Sequence, residues 1–128
     1  MESIYKYIEE HASRPSEALD WVVKQTHIRT NHARMLSGAA QGQLMRMIAR
    51  MADARRILEL GTFTGYSAIC LGSALPADGH LDTLELNDEL EDLIQTQKMR
   101  GDANVKLALI EKHTRLALPF SAFILTIM

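Results

Sequence analysis

The residues best suited to chemistry lie in one short stretch, which reads ELGTFTGYS over residues 59–67. It combines an acid, two glycines and several hydroxyl groups directly after an apolar run. Gly61 can adopt a positive φ angle and lets a ligand approach the bare backbone, and Gly65 lets a helix begin close to the preceding strand. The start of such a helix presents unpaired N–H groups that favour a carboxylate or a phosphate. The stretch therefore predicts a ligand-binding turn between a strand and a helix.

A second acid, Glu85, lies 24 residues beyond Gly61 at the end of another apolar run. In folds that bind nucleotides at such a turn, an acid about 20 residues further on accepts hydrogen bonds from the ribose hydroxyls. We therefore predict that Glu85 binds a ribose.

Three classes of ligand compete for this turn. A nucleoside triphosphate requires a longer spacing between the glycines and a following lysine, both of which are missing. A dinucleotide requires a further glycine where Phe63 stands, so Phe63 obstructs the approach of a pyrophosphate. Glu59 would also repel a pyrophosphate but suits an ammonium or sulfonium group, which favours S-adenosylmethionine. A tight turn that binds no ligand also remains open.

The elements that must position these residues follow from the apolar spacing. The first half of the chain predicts three helices, the second of which is capped by Ser16 and the third of which spans residues 39–51. Their predicted apolar faces are Ile4, Tyr5 and Ile8; then Leu19, Val22, Val23 and Thr26; then Leu44, Met47, Ile48 and Met51.

Beyond residue 55, short apolar runs at residues 56–60, 81–86 and 105–110 alternate with helical segments at residues 67–74 and 88–101. Such alternation predicts an α/β fold, the first half of a doubly wound, Rossmann-like parallel sheet. We predict a single domain, with a helical segment at residues 1–54, a cofactor-binding core at residues 55–110 and a divergent tail at residues 111–128.

Composition excludes several other classes of protein. With 128 residues and a net charge of −2, the chain has the size of one domain and no basic bias towards nucleic acid. Cys70 is the only cysteine, which excludes an internal disulfide and favours a reducing cytoplasm; we expect it to be buried. No apolar run reaches the ~20 residues that a membrane span needs. The sequence predicts a soluble cytoplasmic protein.

Several segments together resemble one family, the cation-dependent O-methyltransferases, which includes the catechol and caffeoyl-CoA O-methyltransferases. The resemblance covers about residues 30 to 103 and rests on RMLS at 34–37, QGQL at 41–44, ILELGTFTGYSA at 57–68, LPADG at 75–79 and TLELN at 83–87. It implies an enzyme that transfers a methyl group from S-adenosylmethionine to a hydroxyl of a catechol-like or phenolic small molecule.

The resemblance also implies roles for individual residues. It predicts that eight residues bind the cofactor: Glu59 and Ser67 at the methionine part, Gly61 and Phe63 along the loop, Glu85 at the ribose, Leu86 beside the adenine, and Met35 and Ser37 in a segment that closes over it. No catalytic residue is assigned.

The chain also departs from the family pattern. Family members hold Mg²⁺ with carboxylates that follow later strands, and those carboxylates are missing here; residues 118–128 are apolar and contain no acid. We therefore expect a truncated chain whose family pattern fades after about residue 107, which lacks the metal site and alone does not methylate catechols. An uncovered sheet edge would favour a homo-oligomer. The alternatives are an inactive cofactor-binding remnant or binding module, and an NAD-dependent oxidoreductase.

Overall fold

Three helices form the first part of the chain in the computed structural model, which describes residues 2–98, 105–109 and 123–126. They are α1 (Glu2–His11), α2 (Glu17–Arg29) and α3 (Ala39–Met51). Ser16 caps α2, as predicted, because its side chain accepts a hydrogen bond from the Leu19 backbone N–H. A short 3₁₀ helix, Ala33–Met35, lies between α2 and α3.

A four-stranded sheet follows, with the strand order β3-β2-β1-β4. Its strands are β1 (Arg56–Leu60), β2 (His80–Glu85), β3 (Val105–Leu109) and β4 (Phe123–Thr126). Helix α4 (Tyr66–Gly72) connects β1 to β2, and α5 (Glu91–Lys98) lies between β2 and β3. Strands β1, β2 and β3 are parallel to one another, which confirms the predicted α/β class.

Strand β4 adds to the predicted parallel strands and pairs with β1 in the antiparallel direction. Its residues fall in the apolar run near the end of the chain. The backbone groups of β1 that face away from β2 need hydrogen-bond partners, and a strand of either direction can supply them. The apolar sequence of β4 therefore suits a strand but does not determine its direction.

The core lies between the sheet and helices α3 and α4. Ile57 of β1 and Leu81 of β2 are almost fully buried, and they pack with Ala68 and Leu71 of α4. Cys70 is also buried, as predicted. Within the described residues, no helix is long and apolar enough to cross a membrane.

The predicted apolar face of α3 is wrong. Leu44, Met47, Ile48 and Met51 are all exposed, and the buried residues of α3 are Gly42, Met45 and Ala49. Gly42 explains the difference, because a Cβ atom built there would lie only 2.7 Å from the Cys70 sulfur and 2.9 Å from the Tyr66 ring. Helix α3 therefore approaches α4 through the face that carries Gly42, Met45 and Ala49, which leaves its other large apolar side chains outside.

The predicted apolar face of α1 is exposed as well, because Ile4, Tyr5 and Ile8 all lie at the surface. Some predictions lie outside the described residues. Gly101, Ile110 and most of the predicted tail at residues 111–128 lie outside the described part of the chain.

Candidate functional site

The turn after β1, residues 61–65, is called the glycine loop here. Gly61 and Gly65 have φ angles of 91° and 87°, which only glycine adopts readily. The backbone N–H groups of Gly61 and Thr62 both donate to the Leu84 carbonyl oxygen, at 2.9 and 3.1 Å. Phe63 has a φ angle of 49°, which is unusual for a residue with a side chain. The loop therefore adopts one defined conformation and is hydrogen-bonded to the carboxyl end of β2.

Glu85 holds the middle of the glycine loop from the carboxyl end of β2. One of its carboxylate oxygens accepts a hydrogen bond from the Phe63 backbone N–H at 2.6 Å. The other oxygen accepts from the backbone N–H groups of Leu86 and Asn87, at 2.9 and 2.8 Å. Because both oxygens are bonded within the protein, the carboxylate has a defined orientation beside the loop.

Glu59 lies beneath the loop and is fully buried. Its carboxylate accepts hydrogen bonds from the hydroxyl of Ser67 and from Thr83 Oγ1, the latter at 2.5 Å. Thr83 Oγ1 is also 2.6 Å from Thr62 Oγ1. A continuous polar chain thus joins α4, β1, β2 and the loop.

Burial raises the pKa of Glu59 from 4.5 to about 7. The hydrogen bonds from Ser67 and Thr83 act in the opposite direction, since they stabilise the ionised form, and the nearby Glu85 carboxylate raises the pKa further. Glu59 therefore changes its protonation state near neutral pH, which an exposed glutamate does not do.

A cleft forms where the glycine loop faces residues 31–38, which connect α2 to α3 and are called the strap here. The residues that line it are Met35, Leu36, Ser37, Gly61, Thr62, Phe63, Thr64, Tyr66 and Ser67. The structure thus brings together two segments that are separated by more than twenty residues in the sequence.

Five of the predicted cofactor-binding residues line this cleft: Met35, Ser37, Gly61, Phe63 and Ser67. The other three do not line it. Glu59 and Glu85 adjoin the cleft through their hydrogen bonds to Ser67 and to the Phe63 backbone, and Leu86 lies apart from it and is exposed. The roles of all eight residues in binding stay predictions.

Sequence reasoning missed the buried threonines around the loop. Thr26 was predicted as part of an apolar helical face, but its hydroxyl makes a 2.8 Å hydrogen bond with Thr64 Oγ1. Thr62 and Thr83 make a second pair of this kind, between the loop and β2. The only signal in the sequence was the residue type. A threonine at a buried position needs a hydrogen-bond partner for its hydroxyl, whereas valine would pack there without one.

Metal binding and a cysteine nucleophile find little support among the described residues. Within residues 2–98, 105–109 and 123–126, no three His, Cys, Asp or Glu side chains lie close enough together to hold a metal ion. Burial raises the pKa of Cys70 to about 11, although nearby Arg46 lowers it, so the thiol is protonated at neutral pH. A protonated thiol is a weak nucleophile, as expected for a cysteine that packs in the core.

Comparisons with known proteins agree with this geometry. A family model described as O-methyltransferase matches residues 9–120, which extends past the point at which we predicted that the family pattern fades. A probable caffeoyl-CoA O-methyltransferase of Arabidopsis thaliana is 36% identical over 88 residues, which are 67% of this chain and 38% of that protein.

Solved structures give the same result. The O-methyltransferase TomG from Streptomyces achromogenes, in complex with SAM, is 31% identical with a TM-score of 0.76, over 84% of this chain and 48% of that one. The SAH-bound methyltransferase PaMTH1 of Podospora anserina is 26% identical with a TM-score of 0.76, over 85% and 48%. The chain thus spans about half the length of these structures and less than two fifths of the Arabidopsis relative.

Proposed function

Because the chain belongs to the O-methyltransferase family, we propose that its cleft binds S-adenosylmethionine for methyl transfer to a hydroxyl of a catechol-like or phenolic small molecule. The observation that carries the proposal is the convergence of the strap and the glycine loop on one cleft, with Glu85 fixed beside it. The family model supports the methyl transfer independently of this geometry, and the similarity to a probable caffeoyl-CoA O-methyltransferase supports a phenolic acceptor.

The groups around the cleft suit the polar parts of this cofactor. The Ser67 hydroxyl donates its proton to Glu59, so towards a ligand it can act only as an acceptor, which suits an ammonium group. Gly61 places backbone without a side chain in the lining. Glu85 supplies the carboxylate that we assign to the ribose hydroxyls. Ser37, Met35 and Phe63 would cover the ligand from the strap and the loop.

The cofactor, when bound, supplies an electrophilic methyl group. The described residues contribute by binding and orienting it, because a fixed orientation removes part of the entropic barrier to displacement. Ser67, which Glu59 orients through their hydrogen bond, would hold the methionine part, and Glu85 would hold the ribose. Mg²⁺ is typical of the family, but the described residues hold no cluster of ligands for it.

We also propose that the acceptor is a free small molecule and that the protein acts in the cytoplasm, without binding nucleic acid or membranes. The net charge of −2 and the single cysteine support this proposal. We further propose that the chain associates into a homo-oligomer.

Calorimetric titration of the purified chain with S-adenosylhomocysteine tests the proposed function, with NAD as the rival ligand. We expect S-adenosylhomocysteine to bind and NAD not to bind. Glu85→Ala should weaken binding about tenfold, because a hydrogen bond to a charged group contributes about 1.5–3 kcal/mol. Glu89→Ala, which removes an exposed acid nearby, is the matched control and should bind as the wild type does.

Binding of NAD in preference to S-adenosylhomocysteine would refute the proposal and favour an oxidoreductase. An unchanged affinity of Glu85→Ala would remove Glu85 from the site. A methyl-transfer assay with a catechol then separates an enzyme from a chain that only binds the cofactor.

A further inference from the structure

Thr26 is fully buried and is not one of the eight residues assigned to cofactor binding. It lies in the last turn of α2, where its hydroxyl is 2.7 Å from the Val22 carbonyl oxygen of its own helix. The same hydroxyl is 2.8 Å from Thr64 Oγ1, and Thr64 is also fully buried. This hydrogen bond joins the helical segment to the glycine loop across 38 residues of sequence.

Three consecutive loop residues are each bonded to a different group. Thr62 is bonded to Thr83 at 2.6 Å, and the Phe63 N–H is bonded to Glu85 at 2.6 Å. Both of those partners belong to β2. Thr64 is bonded instead to Thr26, which belongs to α2. The position of the loop relative to the strap therefore depends on an element outside the sheet.

The strap begins at residue 31, directly after Thr30, the C-cap residue of α2, and within two turns of Thr26 in the chain. The carbonyl oxygen of Thr26 accepts a hydrogen bond from the Thr30 backbone N–H at 3.0 Å, which ends the helix. Thr26 thus contacts the loop through its side chain, and its backbone carbonyl oxygen holds Thr30, the residue that directly precedes the strap. These two segments form the opposite sides of the cleft.

We propose that Thr26 is a positioning residue, which sets the separation of the glycine loop and the strap through the bond between its hydroxyl and Thr64. That the positioned ligand is S-adenosylmethionine rests on the proposed function. A packing role alone would need only the shape of the side chain, and valine has nearly the same shape. A hydroxyl group costs free energy to bury unless it has a hydrogen-bond partner. With a partner, it adds a hydrogen bond of defined direction, which valine cannot make.

The test compares three variants of the full 128-residue chain. Thr26→Val removes the hydroxyl and keeps the shape, and Thr26→Ser keeps the hydroxyl. Thr30→Val is the matched control, because the Thr30 hydroxyl donates to the Thr26 carbonyl oxygen, and the Thr30 backbone N–H retains a hydrogen bond to that same oxygen in the variant. Amide hydrogen exchange is measured on the unliganded proteins, and affinity for S-adenosylhomocysteine is measured by calorimetry.

We expect Thr26→Val to accelerate exchange about fivefold in the amides of residues 61–65, while the amides of β1 and β2 exchange as in the wild type. Its affinity for S-adenosylhomocysteine should fall about fivefold. Thr26→Ser should restore both values to within twofold of the wild type, and Thr30→Val should change neither.

Two results would overturn the inference. One is a Thr26→Val chain whose loop exchange is unchanged. The other is an acceleration spread evenly over the sheet and the loop that Thr26→Ser does not rescue, since this indicates a general loss of stability. If the wild type binds no S-adenosylhomocysteine, the proposed function fails, and the exchange rates still decide the role of Thr26 by the presence or absence of the local effect.

Discussion

The glycine loop and the outer face of the helical segment show opposite relations between polarity and burial. Around the loop, polar side chains are buried, and Glu59, Thr62 and Thr83 are bonded to one another. On the outer face of α3, large apolar side chains such as Leu44 and Met47 are exposed. Burial in this chain is therefore decided by which partners and which distances are available, and not by side-chain polarity alone.

The contrast has a physical cause at each place. A carboxylate or hydroxyl can be buried when another group supplies its hydrogen bond, as Ser67 and Thr83 do for Glu59. Two helices approach most closely where their side chains are smallest, and Gly42 provides that place on α3. Variants at Gly42 and Glu59 test these two causes, and a variant at Asp78 tests an exposed polar contact for comparison.

Gly42→Val should reduce the free energy of unfolding by about 3 kcal/mol, because the added Cβ would meet Cys70 and Tyr66 at under 3.0 Å and overpack the contact between α3 and α4. Met51→Ala, at an 83% exposed position on the same helix, should change it by less than about 0.5 kcal/mol. Urea denaturation of both variants measures the difference. Equal losses would mean that α3 packs through its larger residues after all.

Glu59→Gln should change how stability depends on pH. The folded chain binds the Glu59 proton up to a pH of about 7, whereas the unfolded chain releases it near 4.5. The contribution of Glu59 to stability is therefore greatest below pH 4.5, falls as the pH rises to about 7, and is constant above that. Glutamine cannot ionise, so between pH 5 and pH 8 the variant should gain about 2 kcal/mol relative to the wild type.

Urea denaturation at several pH values checks this expectation, with the exposed Glu89→Gln as the control. A Glu59→Gln profile that runs parallel to the wild type between pH 5 and pH 8 would show that Glu59 ionises at an ordinary pH. Burial would then not dominate its environment.

Asp78→Asn should have the smallest effect. Asp78 forms a 2.7 Å ion pair with Arg55, and both side chains are more than 60% exposed. Exposed ion pairs contribute about 0 to 1 kcal/mol, so we expect a loss below about 0.5 kcal/mol that disappears in high salt. Thermal melting at low and high salt checks this, and a loss comparable to that of Gly42→Val would break the contrast between buried and exposed polar contacts.

The sequence predicted the parallel strands and the turn between β1 and α4, because apolar runs, glycines and caps act locally. It also predicted that Gly61 has a positive φ angle, for the same reason. The sequence did not predict the buried face of α3. A helical pattern is recognised by the spacing of large apolar side chains, and Gly42 has no side chain that would mark the buried face.

The pairs of buried threonines could not be predicted either. Thr26 and Thr64 are 38 residues apart, and Thr62 and Thr83 are 21 apart, so neither pair produces a local pattern. The direction of β4 depends likewise on how a distant segment reaches the edge of β1. Contacts of this kind are chosen by the whole fold and leave no periodic signal in the sequence.

The three backbone N–H groups that bind Glu85 have a consequence for how a ligand would associate with the cleft. A free glutamate side chain samples many rotamers, and ordering it costs up to about 2 kcal/mol. In this chain, Phe63, Leu86 and Asn87 impose that order when the protein folds. A ligand that reaches Glu85 therefore meets an acceptor whose direction is already set, and the entropy lost on association is correspondingly smaller.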